Sequence, residues 1–104
     1  METIAFRMVL HAGQRDEYER RHREIWPDLA ALLHEAGISD YWIFLDEGTH
    51  HLFAVLKRTG DHKMDALPAS EVMRRWWAYM SDIMETGPDG APARQTLVPL
   101  FHLP

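Results

Sequence analysis

The chain has 104 residues, room for one ordinary domain and not for two independent cores. A composition of 46% hydrophobic and 26% charged residues is globular usage, and a net charge of −5 argues against nucleic acid as the main partner. The absence of cysteine excludes disulfides, thiolate nucleophiles and zinc–thiolate sites, and no apolar run approaches the ~20 residues of a membrane span.

In chain order, Ile4 to Leu10 reads as a strand, broken at Ala12-Gly13. A helical pattern follows from Gln14 to His34. Pro27 divides it, because proline is tolerated only in a helix's first turn. The first helix is thus expected to end near Ile25 and the second to begin at Pro27. Leu29, Leu32, Leu33 and Ala36 form an apolar stripe, and Gly37 sits where a C-terminal cap belongs. Ile38 to Asp46 is a strand, Glu47-Gly48-Thr49 a turn, and His50 to Arg58 the return strand of a hairpin. Asp61 to Leu67 is expected to be a short helix ended by Pro68. Ser70 caps a strong helix on which Met73, Trp76, Met80, Ile83 and Met84 share the core-facing stripe. After a Gly- and Pro-rich loop, Thr96 to His102 makes a last strand, at an edge or bulged because Pro99 lacks a ladder donor.

The order βαββαβ is that of an α+β, ferredoxin-like plait filling residues 1–104 as one domain. Its helices cover one sheet face. The other face should then be polar, yet Trp42 and Phe44 alternate with Tyr41, Ile43 and Leu45, and Phe53 and Val55 with Leu52, Ala54 and Leu56. A sheet apolar on both faces needs cover on both. A homodimer packed through the open faces is expected, with a ligand groove on a monomer as the alternative.

Three features bear on chemistry. Tyr18 and His22 lie one helical turn apart, with Trp26 continuing the spacing, which places a phenol beside an imidazole able to exchange protons near neutral pH. Trp76 and Trp77 diverge by about 100° on their helix. Trp76 thus suits the core and Trp77 the wall of a pocket, where an indole offers a flat apolar surface and one N–H. Tyr41 opens a strand, where it serves either as a packing residue or as a ligand contact. The interleaved charges of Arg15 to Glu24 read as a solvated, salt-bridged helix face. His50 and His51 are consecutive and point to opposite faces of a strand, so they are poor joint metal ligands. No HExxH motif, phosphate-binding glycine loop or G-x-S-x-G elbow is present. The residues by themselves lead to a plait with a His–Tyr–Trp pocket and no defined substrate.

The segments Tyr18–Leu29 (YERRHREIWPDL) and Arg75–Met84 (RWWAYMSDIM), supported by Asp40–Leu45, Leu52–Ala54 and Phe101–Leu103, resemble the L-rhamnose mutarotase family over the whole chain. The resemblance implies a dimeric ferredoxin-like α/β-barrel. It implies interconversion of the α and β anomers of L-rhamnose by a homodimer, without metal or organic cofactor, and the absence of cysteine suits a cytoplasmic location. It places the acid–base residue at His22 and the sugar contacts at Tyr18, Tyr41, Trp76 and Trp77. The loop Thr86-Gly87-Pro88-Asp89-Gly90, and Lys57 where an acidic residue is expected, depart from the family pattern. Two other functions fit the same fold: a cofactor-free monooxygenase, by analogy of fold alone, and a non-catalytic sugar-binding module.

Overall fold

Eight residues of extended chain open the fold as strand β1 (Glu2–Val9) in the computed structural model, which describes residues 1–104. Helices α1 (Arg15–Arg23) and α2 (Pro27–Glu35) follow, then strands β2 (Ile38–Asp46) and β3 (His51–Arg58), helix α3 (Glu71–Met80) and the short strand β4 (Gln95–Thr96). The strands form one antiparallel sheet in the order β2-β3-β1-β4, the order of the ferredoxin-like plait.

The helix boundaries follow local chemistry. Pro27 bars its predecessor from helical backbone. Trp26 is accordingly extended (φ −62°, ψ 130°), Pro27 is the first residue of α2, and α1 stops at Arg23, two residues before the expected end. Ser70 caps α3, its Oγ accepting from the Met73 amide at 3.5 Å. Gly37 ends the α2 segment at φ +88°, a left-handed conformation that glycine adopts without a Cβ penalty.

Alternation decides which face each strand buries. Phe6 and Met8 of β1 stand opposite Ala54 and Leu52 of β3, and all four are buried beneath the helices. Leu29 of α2 and Met73, Trp76 and Met80 of α3 complete one continuous cluster with them. On the open face, Trp42 is 57% and Phe44 55% exposed, with their rings stacked 5.8 Å apart. They stand opposite Val55 and Phe53, and Phe53 stands opposite Arg7, whose Nε is buried with no hydrogen-bond acceptor. The open sheet face is therefore apolar, as its strand pattern requires.

Three expected elements differ. The short helix is a 3₁₀ turn over Met64–Ala69 that runs through Pro68, since a 3₁₀ segment this short demands few amide donors. Helix α3 ends at Met80, so Ile83 and Met84 are buried beyond it, and Met84 pairs with Leu10. The last strand is confined to Gln95–Thr96, with one further bond from the Leu97 amide to the Ala5 carbonyl at 3.0 Å. Continuing that register would set Pro99 against Thr3, at the end of β1, where no donor exists on one side and little strand remains on the other. Val98, Leu100, Phe101 and Leu103 are left largely exposed.

Candidate active site

Helix α1 positions the titratable pair. The four-residue spacing of Tyr18 and His22 stacks their rings at 4.3 Å between centroids. The His22 Nδ1 lies 2.9 Å from the Tyr18 carbonyl oxygen. A carbonyl only accepts, so Nδ1 carries the proton and donates it. Nε2 of the neutral ring is then the free lone pair. Burial lowers the His22 pKa below its ordinary value, and the bond to the Tyr18 carbonyl opposes the shift. The ring is neutral near pH 7 and poised to accept a proton.

Helix α3 supplies the wall. The Trp76 indole is buried and meets the His22 ring edge-on at 5.4 Å. Trp26, carried in by the bend before Pro27, meets Trp76 at 5.1 Å and 86°. Tyr79, one turn along α3, packs at 5.7 Å against both Trp26 and Trp76. Trp77 is half-buried at the margin of the core and stands outside this chain of ring contacts.

Tyr41 stands beside a β-bulge, on the helix-facing side that it shares with Ile43 and Leu45 by simple alternation. Ser39 pairs with Lys57 and Trp42 with Val55, so Asp40 and Tyr41 together oppose the single residue Leu56. Asp40 absorbs the extra length with φ +49°. The bulge rephases the strand upstream of Tyr41, so that Ile38 also turns inward and is buried. Although 39% of Tyr41 is open, its phenol is desolvated, which pushes its pKa up to about 12 against the pull of the Arg94 guanidinium. Tyr18 is more enclosed, at 8% exposure, and burial first, then the nearby Tyr41 phenol, hold its pKa well above the usual range. Both phenols therefore keep their protons at neutral pH and can donate hydrogen bonds.

Three of the five residues singled out from sequence, Tyr18, His22 and Trp76, are thus joined by ring contact, and Tyr41 lies close enough for its phenol to act on that of Tyr18. Sequence reasoning missed Tyr79 and Arg94. It also misplaced Arg21, which is not on a solvated face but 8% exposed. The signal was available. Arg21 follows Tyr18 by three residues, about 60° from it around the helix and inside the buried sector.

A family model described as L-rhamnose mutarotase matches residues 3–103. An L-rhamnose mutarotase of Burkholderia ambifaria is 69% identical over 104 residues, covering all of both chains. The crystal structure of an L-rhamnose mutarotase from Formosa agariphila superposes with a TM-score of 0.92 at 40% identity, again over all of both chains. The chain belongs to the L-rhamnose mutarotase family. A dimeric ferredoxin-like protein from an uncultured marine organism, 15% identical with a TM-score of 0.53 over 97% of this chain and 96% of its own, shares the fold. The two departures from the family pattern flank the cluster. Lys57 pairs with Asp40 of the bulge at 3.3 Å. The loop closes on itself through the Gly87 amide and Ala91 carbonyl at 2.7 Å before the chain reaches Arg94.

Proposed function

We propose that the chain catalyses its family's reaction, interconversion of the α and β anomers of L-rhamnose, with His22 as the acid–base group. The observation that carries this is the 2.9 Å approach of His22 Nδ1 to the Tyr18 carbonyl, which commits the ring proton to Nδ1 and leaves Nε2 as the free base of a half-buried ring between aromatic neighbours.

Ring opening requires the anomeric hydroxyl to lose a proton, the C1–O5 bond to break and O5 to gain a proton. His22 Nε2 takes the first proton. The aldehyde turns about C1–C2, O5 attacks the other face, and His22 returns the proton to the new anomeric oxygen. Tyr18, or a water it orients, gives and recovers the proton at O5, and the raised phenol pKa keeps that donor loaded. Tyr41 holds a sugar hydroxyl. Trp76 and Trp77 pack on the C–H face and the C6 methyl, where indole surface is complementary. Positioned acid–base catalysis contributes roughly 10²–10⁴-fold, enough for a reaction that already proceeds in water.

Residues 1–104 act as one domain, and two chains associate through the open sheet faces. Support comes from Trp42 and Phe44, the unpaired Arg7 Nε and the exposed apolar residues Val98 to Leu103. The cytoplasm is the proposed location, a reducing compartment suited to a chain without cysteine.

Saturation-transfer NMR of L-rhamnose, beside D-glucose and D-galactose, tests the reading. The wild type is expected to speed anomer exchange of rhamnose, and His22→Ala to lose most of that rate. Undiminished exchange in His22→Ala would remove His22 from the mechanism.

A further inference from the structure

The guanidinium of Arg21 is the most heavily bonded charge in the molecule, and proton transfer does not use it. Nε donates to Glu17 Oε2 at 2.7 Å. Nη1 donates to the Tyr79 carbonyl at 2.7 Å and to Asp82 Oδ1 at 2.9 Å, and Nη2 donates to Asp82 Oδ2 at 3.2 Å. Its Cζ also lies over the Tyr79 ring, 4.3 Å from the centroid. The fork thus joins helix α1 to the last turn of α3 and the residues just beyond it. A charge this enclosed is retained only where each donor finds an acceptor.

The connection closes a loop of contacts around the reacting histidine. Arg21 grips Tyr79, the Tyr79 ring rests on Trp76, Trp76 meets the edge of His22, and His22 is the next residue to Arg21 on α1. No step in the loop is long, and only two helices take part. The other arginines of α1 lie among carboxylates at the exposed surface: Arg15 reaches Asp16 and Glu47, Arg20 reaches Glu17 and Glu24, and Arg23 reaches Glu19.

We propose that Arg21 is a positioning residue for the mutarotase reaction, setting the depth and tilt of α1 against α3 and hence the aim of His22 Nε2 at the sugar. The inference rests on the reading of His22 as the acid–base group. A hydrogen-bonded fork suits this task better than apolar packing, because it fixes direction as well as distance. Lysine keeps the charge but not the fork, so it cannot hold Glu17, the Tyr79 carbonyl and both oxygens of Asp82 at once. A displacement of about 1 Å at a reacting group can cost on the order of 10²-fold in rate.

The test compares Arg21→Lys with Arg23→Lys, the latter an exposed arginine of the same helix. Rhamnose anomer exchange is measured for kcat and KM separately. The His22 Cε1–H chemical shift is read in each protein, since the Tyr18 and Trp76 rings imprint it. Arg21→Lys is expected to lower kcat by roughly 10- to 100-fold with KM changed far less, and to move the His22 resonance. Arg23→Lys is expected to leave both as in the wild type. If Arg21→Lys is folded, keeps kcat within a factor of about two and leaves the His22 resonance in place, Arg21 does not position the histidine. Should Arg21→Lys fail to fold, Asp82→Asn weakens the same fork from an exposed partner and is held to the same two readouts. The His22 resonance reports on positioning whatever role His22 plays. A full rate in His22→Ala would overturn the acid–base reading, and a moved resonance without a lost rate would overturn the catalytic part of this one.

Discussion

Replacing Trp42 and Phe44 together with alanine should separate the proposed dimer into folded monomers. Trp42 is 57% and Phe44 55% exposed in the single chain. For aromatic residues of about 200–250 Å², these fractions leave roughly 140 and 110 Å² of ring surface open. At ~25 cal/mol per Å², covering both stabilises association by about 6 kcal/mol per protomer, or about 12 kcal/mol for a symmetric pair. That is of the same order as the ~4–15 kcal/mol cost of bringing two chains together, so these two rings decide whether the dimer survives dilution. Realising even half of the area term, the double variant raises Kd by about 10⁴-fold. Sedimentation velocity over a dilution series measures the shift, and circular dichroism checks that the variant is folded, since neither ring lies in the buried cluster. A wild type that sediments as a monomer at every concentration would refute the reasoning, as would a double variant that dissociates no more readily than the wild type.

Two further outcomes follow from the same structure. Because burial keeps His22 neutral, kcat/KM should hold level near neutrality and fall only as pH drops through a folded-state pKa below the ordinary ~6.5. Stability should also fall as pH is lowered from that ordinary value toward the folded one, because there the unfolded chain binds a proton that the folded chain refuses. Urea midpoints of wild type and His22→Ala across this range check the sign, and a wild type that gains stability relative to the variant on acidification would contradict it. Gly37→Ala should cost at least ~1–2 kcal/mol through the left-handed backbone alone, and more because a Cβ there would strike the Thr59 hydroxyl. A fall of at least ~4 °C in Tm is expected by calorimetry, and an unchanged Tm would mean that the backbone at Gly37 is not held at φ +88°.

How much of the site was legible depends on how local each contact is. Tyr18 and His22 stack because they are four residues apart on a helix, and the helix pattern is visible in the chain itself. Trp26 was legible as a neighbour on the same spacing, but its place is made by the break before Pro27, which carries it out of α1 and onto Trp76. The face of Tyr41 was legible, since it alternates with Ile43 and Leu45, but its nearness to Tyr18 was not, because the two lie on separate elements. The extra residue in β2 opposite Leu56, which lets Ile38 turn inward as well, was not legible either, for a bulge is specified by the pairing of two strands, not by either alone. Arg21 was read as one more surface charge because its neighbours are charged, whereas its acceptors, Tyr79 and Asp82, lie about sixty residues away in sequence.

The end of the chain shows the same division. Val98, Leu100, Phe101 and Leu103 carry the apolar pattern of a strand, yet pairing stops at Thr96, because β1 runs out of partners just where Pro99 lacks a donor. The amino-acid sequence determined by itself the order of elements, the apolar character of both sheet faces and the Tyr–His pair on one helix, since each follows from spacings of a few residues. Tertiary structure alone decided that Tyr41 lies near Tyr18, which distant acceptors hold the buried Arg21 and where the last strand ends. Those outcomes depend on register and on acceptors far away in the chain, which no local pattern encodes.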